Sequence, residues 1–148
     1  MIYGGNEKAP TQLNLNQNEN FGPEYNRMFF QERGGFGNEI FTIRLGTQWL
    51  DPTLVSQTIQ CMAGPTKQEA EDQGVYIVQS ISLMSMKHVP NAVYKKLTGN
   101  CKGASPLKVR ELMDYFYEGT EELSRASAGT GHITSDSHVT VLHLVKFK

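Results

Sequence analysis

Hydrophobic positions along this chain fall mostly in short alternating runs broken by glycine and proline, with one helical stripe near the C-terminal third. Residues 40–45 alternate as a strand does, between Gly37 and Gly46, and this alternation assigns Thr42 and Arg44 to its outward face. Asp51-Pro52 signals a turn, and Leu54 to Met62 alternates well enough for a second strand. Ala63 to Gly74 reads as a polar loop. Val75 to Met86 is the longest strand candidate, with Val75, Ile77, Ile81 and Leu83 on one face and Tyr76, Val78, Met84 and Met86 on the other. A strand apolar on both faces belongs in the middle of a sheet, covered on two sides. His138 to Phe147 forms a closing strand, in which His143 is expected as a hydrogen-bonded core histidine.

Helical signals are fewer. Pro90 can open a short helix through Leu97 that Gly99 closes. Ser105-Pro106 pairs a side-chain cap with proline at the first helical position. Val109, Leu112, Met113, Phe116 and Tyr117 then give the i, i+3, i+4, i+7, i+8 stripe of an amphipathic helix, which Gly119 ends. Tyr25 to Phe30 is either a short helix or a strand, ahead of a turn at Gly34, Gly35 and Gly37. Residues 120–137 read as a long Ser/Gly/Thr loop. Residues 1–20, rich in Asn and Gln, read as a mobile arm on a domain spanning 21–148. The order of elements predicts an α+β fold: a small, mostly antiparallel β-barrel or curved sheet with two or three helices over one opening.

Composition narrows the function classes. A chain of 148 residues has room for one core. No apolar run approaches the ~20 residues of a membrane helix, and the first residues lack the basic start and apolar centre of a secretory signal. A cytoplasmic protein with no membrane partner is expected. Cys61 and Cys101 lie far apart outside any CxxC motif, and the histidines show no zinc spacing, so neither a metal nor a cofactor is expected.

The formal net charge of −1 excludes a uniformly basic coat, but the distribution is uneven. Lys87 to Arg110 contains no acidic residue, while Lys87, Lys95, Lys96, Lys102, Lys108 and Arg110 are basic. Such a stretch suits phosphates and equally suits an ordinary solvated surface. Lys108 and Arg110 also oppose the dipole of their own helix, at roughly 0.3–1 kcal/mol each. A hydroxyl and a guanidinium on one strand face, Thr42 and Arg44, suit an anion or a base edge. Trp49, the single tryptophan, follows that strand and reads as either a stacking platform for a base or a plug in the core.

The run Gly37-Asn38-Glu39-Ile40-Phe41-Thr42-Ile43-Arg44, preceded by Met28-Phe29-Phe30-Gln31-Glu32, resembles the signature of the ASCH domains, a branch of the PUA-like superfamily. Within it the chain looks most like the small bacterial proteins that hydrolyse N4-acetylcytidine. The likeness covers most of residues 25–148, with Gly74 to Leu83, Pro106 to Tyr117 and Val139 to Phe147 matching later elements. The resemblance implies a PUA-like barrel with a cleft between barrel and helices. It also implies a catalytic set of a lysine, the second threonine of the signature and a glutamate. The threonine carries over as Thr42. Glu39 stands where the lysine belongs, and Lys102 falls near the place of the glutamate, a swapped pair that keeps a carboxylate–ammonium contact in prospect.

Three functions follow. The first is a module binding RNA or a nucleotide, with Arg44 on a phosphate or base edge, Lys102, Lys108 and Arg110 along the backbone path and Trp49 stacking. The second is a hydrolase acting on a modified nucleoside or on RNA, with Thr42 as nucleophile or orienting hydroxyl and Glu39 and Lys102 as base and electrostatic partner. The third is a subunit of a larger assembly, with a protein partner held through the N-terminal arm.

Overall fold

The computed structural model describes residues 26–31 and 33–147, so the arm expected over residues 1–20 lies outside the described residues. The strands are β1 (Asn26–Phe30), β2 (Glu39–Leu45), β3 (Thr58–Ala63), β4 (Glu71–Ser85) and β5 (His138–Lys146). The helices are α1 (Asn91–Lys96), α2 (Pro106–Phe116) and α3 (Glu121–Ala126). The strands form one sheet in the order β1-β3-β4-β5-β2. β1 runs parallel to β3, and the other three pairings are antiparallel. The fold is α+β with a curled, mixed sheet. Its curl is assisted by two register breaks, at Cys61/Met62 and Val78/Ser80, because an extra residue bends a strand and increases its twist.

Among the described residues the sheet does not close by a ladder: β1 and β2 are its two edges. A side chain joins them instead. Arg44 Nη2 on β2 donates to the Phe29 carbonyl on β1 (3.1 Å), and the guanidinium lies 4.6 Å from the centre of the Phe30 ring. Inside the curl, Met28, Phe30, Ile40, Trp49, Ile59 and Leu142 pack into one apolar cluster. Outside it, Ile43, Leu45, Val139 and Val141 pack against Val109, Met113 and Tyr117 of the helical layer.

Several elements differ from expectation, each for a local reason. The residues before β3 form a 3-10 turn, Pro52–Leu54, because Asp51 caps it by accepting from the Thr53 amide. The loop expected over 120–137 contains α3, whose cap Thr120 accepts from the Leu123 amide while Glu121 and Glu122 occupy the positive first turn and Arg125 the last. β4 begins at Glu71, inside the expected loop, because Met62 and Ala63 extend the β3 pairing to Asp72 and Glu71. α2 starts at Pro106 with Ser105 accepting from the Lys108 amide, as its sequence predicts.

The last residue of the α2 stripe also completes β2. The Leu45 amide, directed off the free edge of the sheet, donates to Tyr117 Oη at 2.9 Å, and both residues are buried. Tyr117→Phe removes the acceptor of that amide and is expected to lower stability by about 1–3 kcal/mol. Burial pushes the Tyr117 phenol and the Cys61 thiol above their ordinary values, and Tyr76 and Tyr94 shift the same way for the same reason. A raised folded value means that the folded state keeps protons the unfolded chain releases, so stability falls as pH rises. The contribution is complete below the unfolded values, about 8.5 for a thiol and about 10 for a phenol, and is lost as pH climbs through the folded ones. Denaturant midpoints are expected to hold to about pH 8 and decline above about pH 9, with a shallower decline in a Cys61→Ala/Tyr117→Phe double variant. Equal slopes in the two proteins would contradict this origin.

Candidate functional site

The site is assembled where the covered edge of β2 meets the end of α1. The Thr98 amide donates to the Phe41 carbonyl (3.1 Å), and the Phe41 amide donates to Thr98 Oγ1 (3.2 Å). Leu97, which forms a bridge with Phe41, is buried beneath this contact. One residue of bridging thus sets Lys96 on one side and the turn Gly99–Cys101 with Lys102 on the other. The opposite wall comes from the chain entering β2. There Gly35 donates to Gln73 Oε1 (2.8 Å), and a Cβ on Gly34 would collide with the Gln73 side chain, so glycine allows that close approach.

Between these walls lies a polar cleft of about 310 Å³. Among the described residues, Arg33, Lys96 and Lys102 line it with the single acid Glu39, beside Gly34, Gly35 and Gly99. Glu39 does not face these cations alone. Its Oε2 lies 2.7 Å from His143 Nε2, and the imidazole stacks on Phe41 with centroids 4.1 Å apart and planes 13° off parallel. The Lys96 ammonium sits 5.6 Å from the centre of the Phe41 ring. A partly exposed carboxylate–imidazole–aromatic stack therefore borders a cleft whose cations outnumber its acid. That arrangement favours an anion, with the ammonium and guanidinium groups as donors.

A second, narrow cleft of about 40 Å³ adjoins the first and shares Leu97 and Thr98 with it. Its lining is mainly apolar, from Phe41, Ile43, Val109, Met113 and Phe116, and includes Thr42 and Arg44. Its volume is on the scale of a water molecule rather than a nucleobase.

The residues singled out in the sequence divide accordingly. Glu39 and Lys102 line one cleft, but no ion pair joins them; Glu39 takes His143 instead. Thr42 and Arg44 are not on an outward face: they are 8% and 1% exposed, and the Arg44 Nε donates to Thr42 Oγ1 at 3.3 Å. The reason is two-sided burial. Ile40 shares their face and lies inside the curl, while Phe41 and Ile43 turn to the helical layer, so neither face of β2 reaches solvent freely. The apolar Ile40 two residues before Thr42 was the signal for this. Arg44 is thus committed to holding β1 and β2 together.

Trp49 is fully buried within the apolar cluster inside the curl, so the core-plug reading holds; its Nε1 has no hydrogen-bond partner among the described residues. Lys108 is exposed and Arg110 partly exposed on α2, and neither lines either cleft. Arg33 and His143 were not among the expected site residues. Arg33 carries only the Gly-Gly that follows it as a signal, and His143 is separated from Glu39 by 104 positions. Among the described residues, no group of His, Cys, Asp and Glu is placed to hold a metal ion, and no helix is long and apolar enough to cross a membrane.

Arg44→Ala is expected to act on stability, lowering it by about 2–4 kcal/mol through lost charged hydrogen bonds and a buried cavity. Chemical denaturation measures this, and a loss below about 0.5 kcal/mol, the range of ordinary surface substitutions, would remove the seam-closing role. Trp49 should emit at blue-shifted wavelengths and resist iodide quenching in the native state; emission typical of exposed indole would contradict its burial. Comparison of the chain with protein-family models, with curated proteins and with solved structures finds no match.

Proposed function

We propose that this protein binds RNA or a nucleotide through phosphate groups held in the cleft between the start of β2 and the α1–α2 connection. The observation that carries this reading is the convergence of Arg33, Lys96 and Lys102 on one polar cleft with glycine backbone at its walls. A phosphate there meets cationic donors from two separate segments of the chain. The likeness of residues 37–44 to the ASCH signature, and the curled sheet with helices beside its edge, support a PUA-like module that uses this cleft. The backbone path then runs over Arg33, Lys96 and Lys102 in place of Arg44.

Hydrolysis of a modified nucleoside or of RNA is the second reading, favoured by the Glu39–His143 contact. A carboxylate that orients an imidazole is an arrangement suited to proton transfer. Thr42 contributes less directly, since its hydroxyl accepts from Arg44 and lines the adjoining cleft. Turnover of an N4-acylated cytidine or cleavage of RNA, lost in His143→Ala and in Glu39→Gln, is the expected result under this reading.

Fluorescence anisotropy with short single-stranded and duplex RNA, at two salt concentrations, tests the binding. Lys96→Ala and Lys102→Ala are each expected to weaken binding and to lower the log–log salt slope by about one. Arg33→Ala should behave alike. Binding that survives the triple substitution unchanged, or no binding at low salt, would overturn the proposal.

A further inference from the structure

The second half of β4 presents an unpaired strand edge. β3 accompanies β4 only as far as Ile77, and the last contact on that side is with the preceding turn, where the Ser56 amide donates to the Val78 carbonyl and the Val78 amide donates to the Gln57 carbonyl. On the other side β4 stays paired with β5 to Ser85. The direction of the remaining main-chain groups follows from the neighbouring hydrogen bonds. Phe41 spends its amide and carbonyl on Thr98, so its β5 partner His143 turns toward β4 and pairs there with Ser80. The Met86 amide likewise donates back to the Ser137 carbonyl. Ser80, Ser82 and Met84 therefore bond β5, and Ile81, Leu83 and Ser85 direct their amides and carbonyls away from it. Among the described residues nothing meets them.

This edge lacks the usual protection. Strand edges are commonly blunted by lysine, proline or a bulge. Here no side chain from Gly74 to Met86 is charged, none is proline, and the one irregularity, between Val78 and Ser80, lies before the open stretch. Leu83 at its centre is 42% exposed, and Val55, beside its start, is 39% exposed.

We infer that this edge pairs with the same edge of a second copy of the chain, extending the sheet across a two-fold axis at Leu83. The edge is self-complementary. Antiparallel pairing about Leu83 sets Leu83 against its counterpart, and Ile81 against Ser85 of the second copy, with each pair exchanging two backbone hydrogen bonds. The same register removes the exposed Leu83 side chains from water and brings no charges together. The short open stretch makes the dimer a weak one, dependent on protein concentration.

Sedimentation equilibrium of the full chain to about 1 mM, the range where a small interface associates, tests the pairing. The wild type is expected to move from the monomer mass toward twice that mass. Leu83→Lys, which sets like charges directly opposite, should weaken association by roughly tenfold or more, whereas Leu107→Lys, on the exposed face of α2, should not. Amide exchange provides the second measurement: the amides of Ile81, Leu83 and Ser85 should become protected as concentration rises, while their neighbours bonded to β5 are protected throughout. A chain monomeric across the range, a dimer insensitive to Leu83→Lys, or a dimer leaving those three amides unprotected would each overturn the inference.

Discussion

The contact between Arg44 and the Phe29 carbonyl holds the two edges of the sheet, and much of the architecture depends on that seam. Among the described residues no ladder joins the outer strands, so no backbone hydrogen bonds hold those two edges together. A planar guanidinium has several donors on a long stem and can span two strands where a carbonyl is exposed. Its desolvation is offset by the Phe29 carbonyl, by Thr42 Oγ1 and by the face of Phe30. The side chain is at the same time almost fully buried, with its guanidinium over the Phe30 ring, so one residue supplies both polar closure and filling.

The candidate site depends on a comparable device at the surface. β2 is an edge strand, and its outward main-chain groups have to be met by something other than a neighbouring strand. Thr98 meets Phe41 and Tyr117 meets Leu45. Covering the edge at these points draws the α1–α2 connection across the mouth of the sheet. Lys96 and Lys102 are carried there as a consequence, opposite Arg33 and Glu39. The positive cleft is thus a by-product of edge protection as much as of charge placement, which ties the cleft to the stability of the sheet. The open stretch of β4 has no such cover among the described residues, and differs from the β2 edge in this respect.

The Glu39–His143 pair links the cleft to the β2–β5 ladder. Phe41 and His143 are cross-strand partners, and the diagonal position on the same face belongs to Glu39. Ring stacking and the carboxylate contact hold the imidazole in one orientation at the cleft margin. Lys96 over the outer region of the same aromatic pair adds a cation where the acid would otherwise dominate. The margin therefore combines a fixed acceptor, a fixed imidazole and cations carried by the neighbouring turn.

Local signals in the sequence determined most of the elements: alternation for β2, β4 and β5, the Ser105-Pro106 cap and apolar stripe for α2, and the acid-free stretch that contributes Lys96 and Lys102. They also contained, unread, the Thr120 cap of α3 and the Ile40 that marks the inner face of β2. What they left undecided was which face of a strand meets solvent and which distant residues meet each other. Thr42 and Arg44 look like surface groups when only polarity is counted, and are buried because the sheet curls over one face and helices cover the other. Glu39 finds His143 rather than Lys102 because the β2–β5 register, not sequence proximity, sets its neighbours. Periodicity reports the local chain, and it carries no information on closure, register between remote strands or the path of a covering turn. Those were decided by the tertiary structure, through the requirement that buried main-chain groups at a sheet edge find partners.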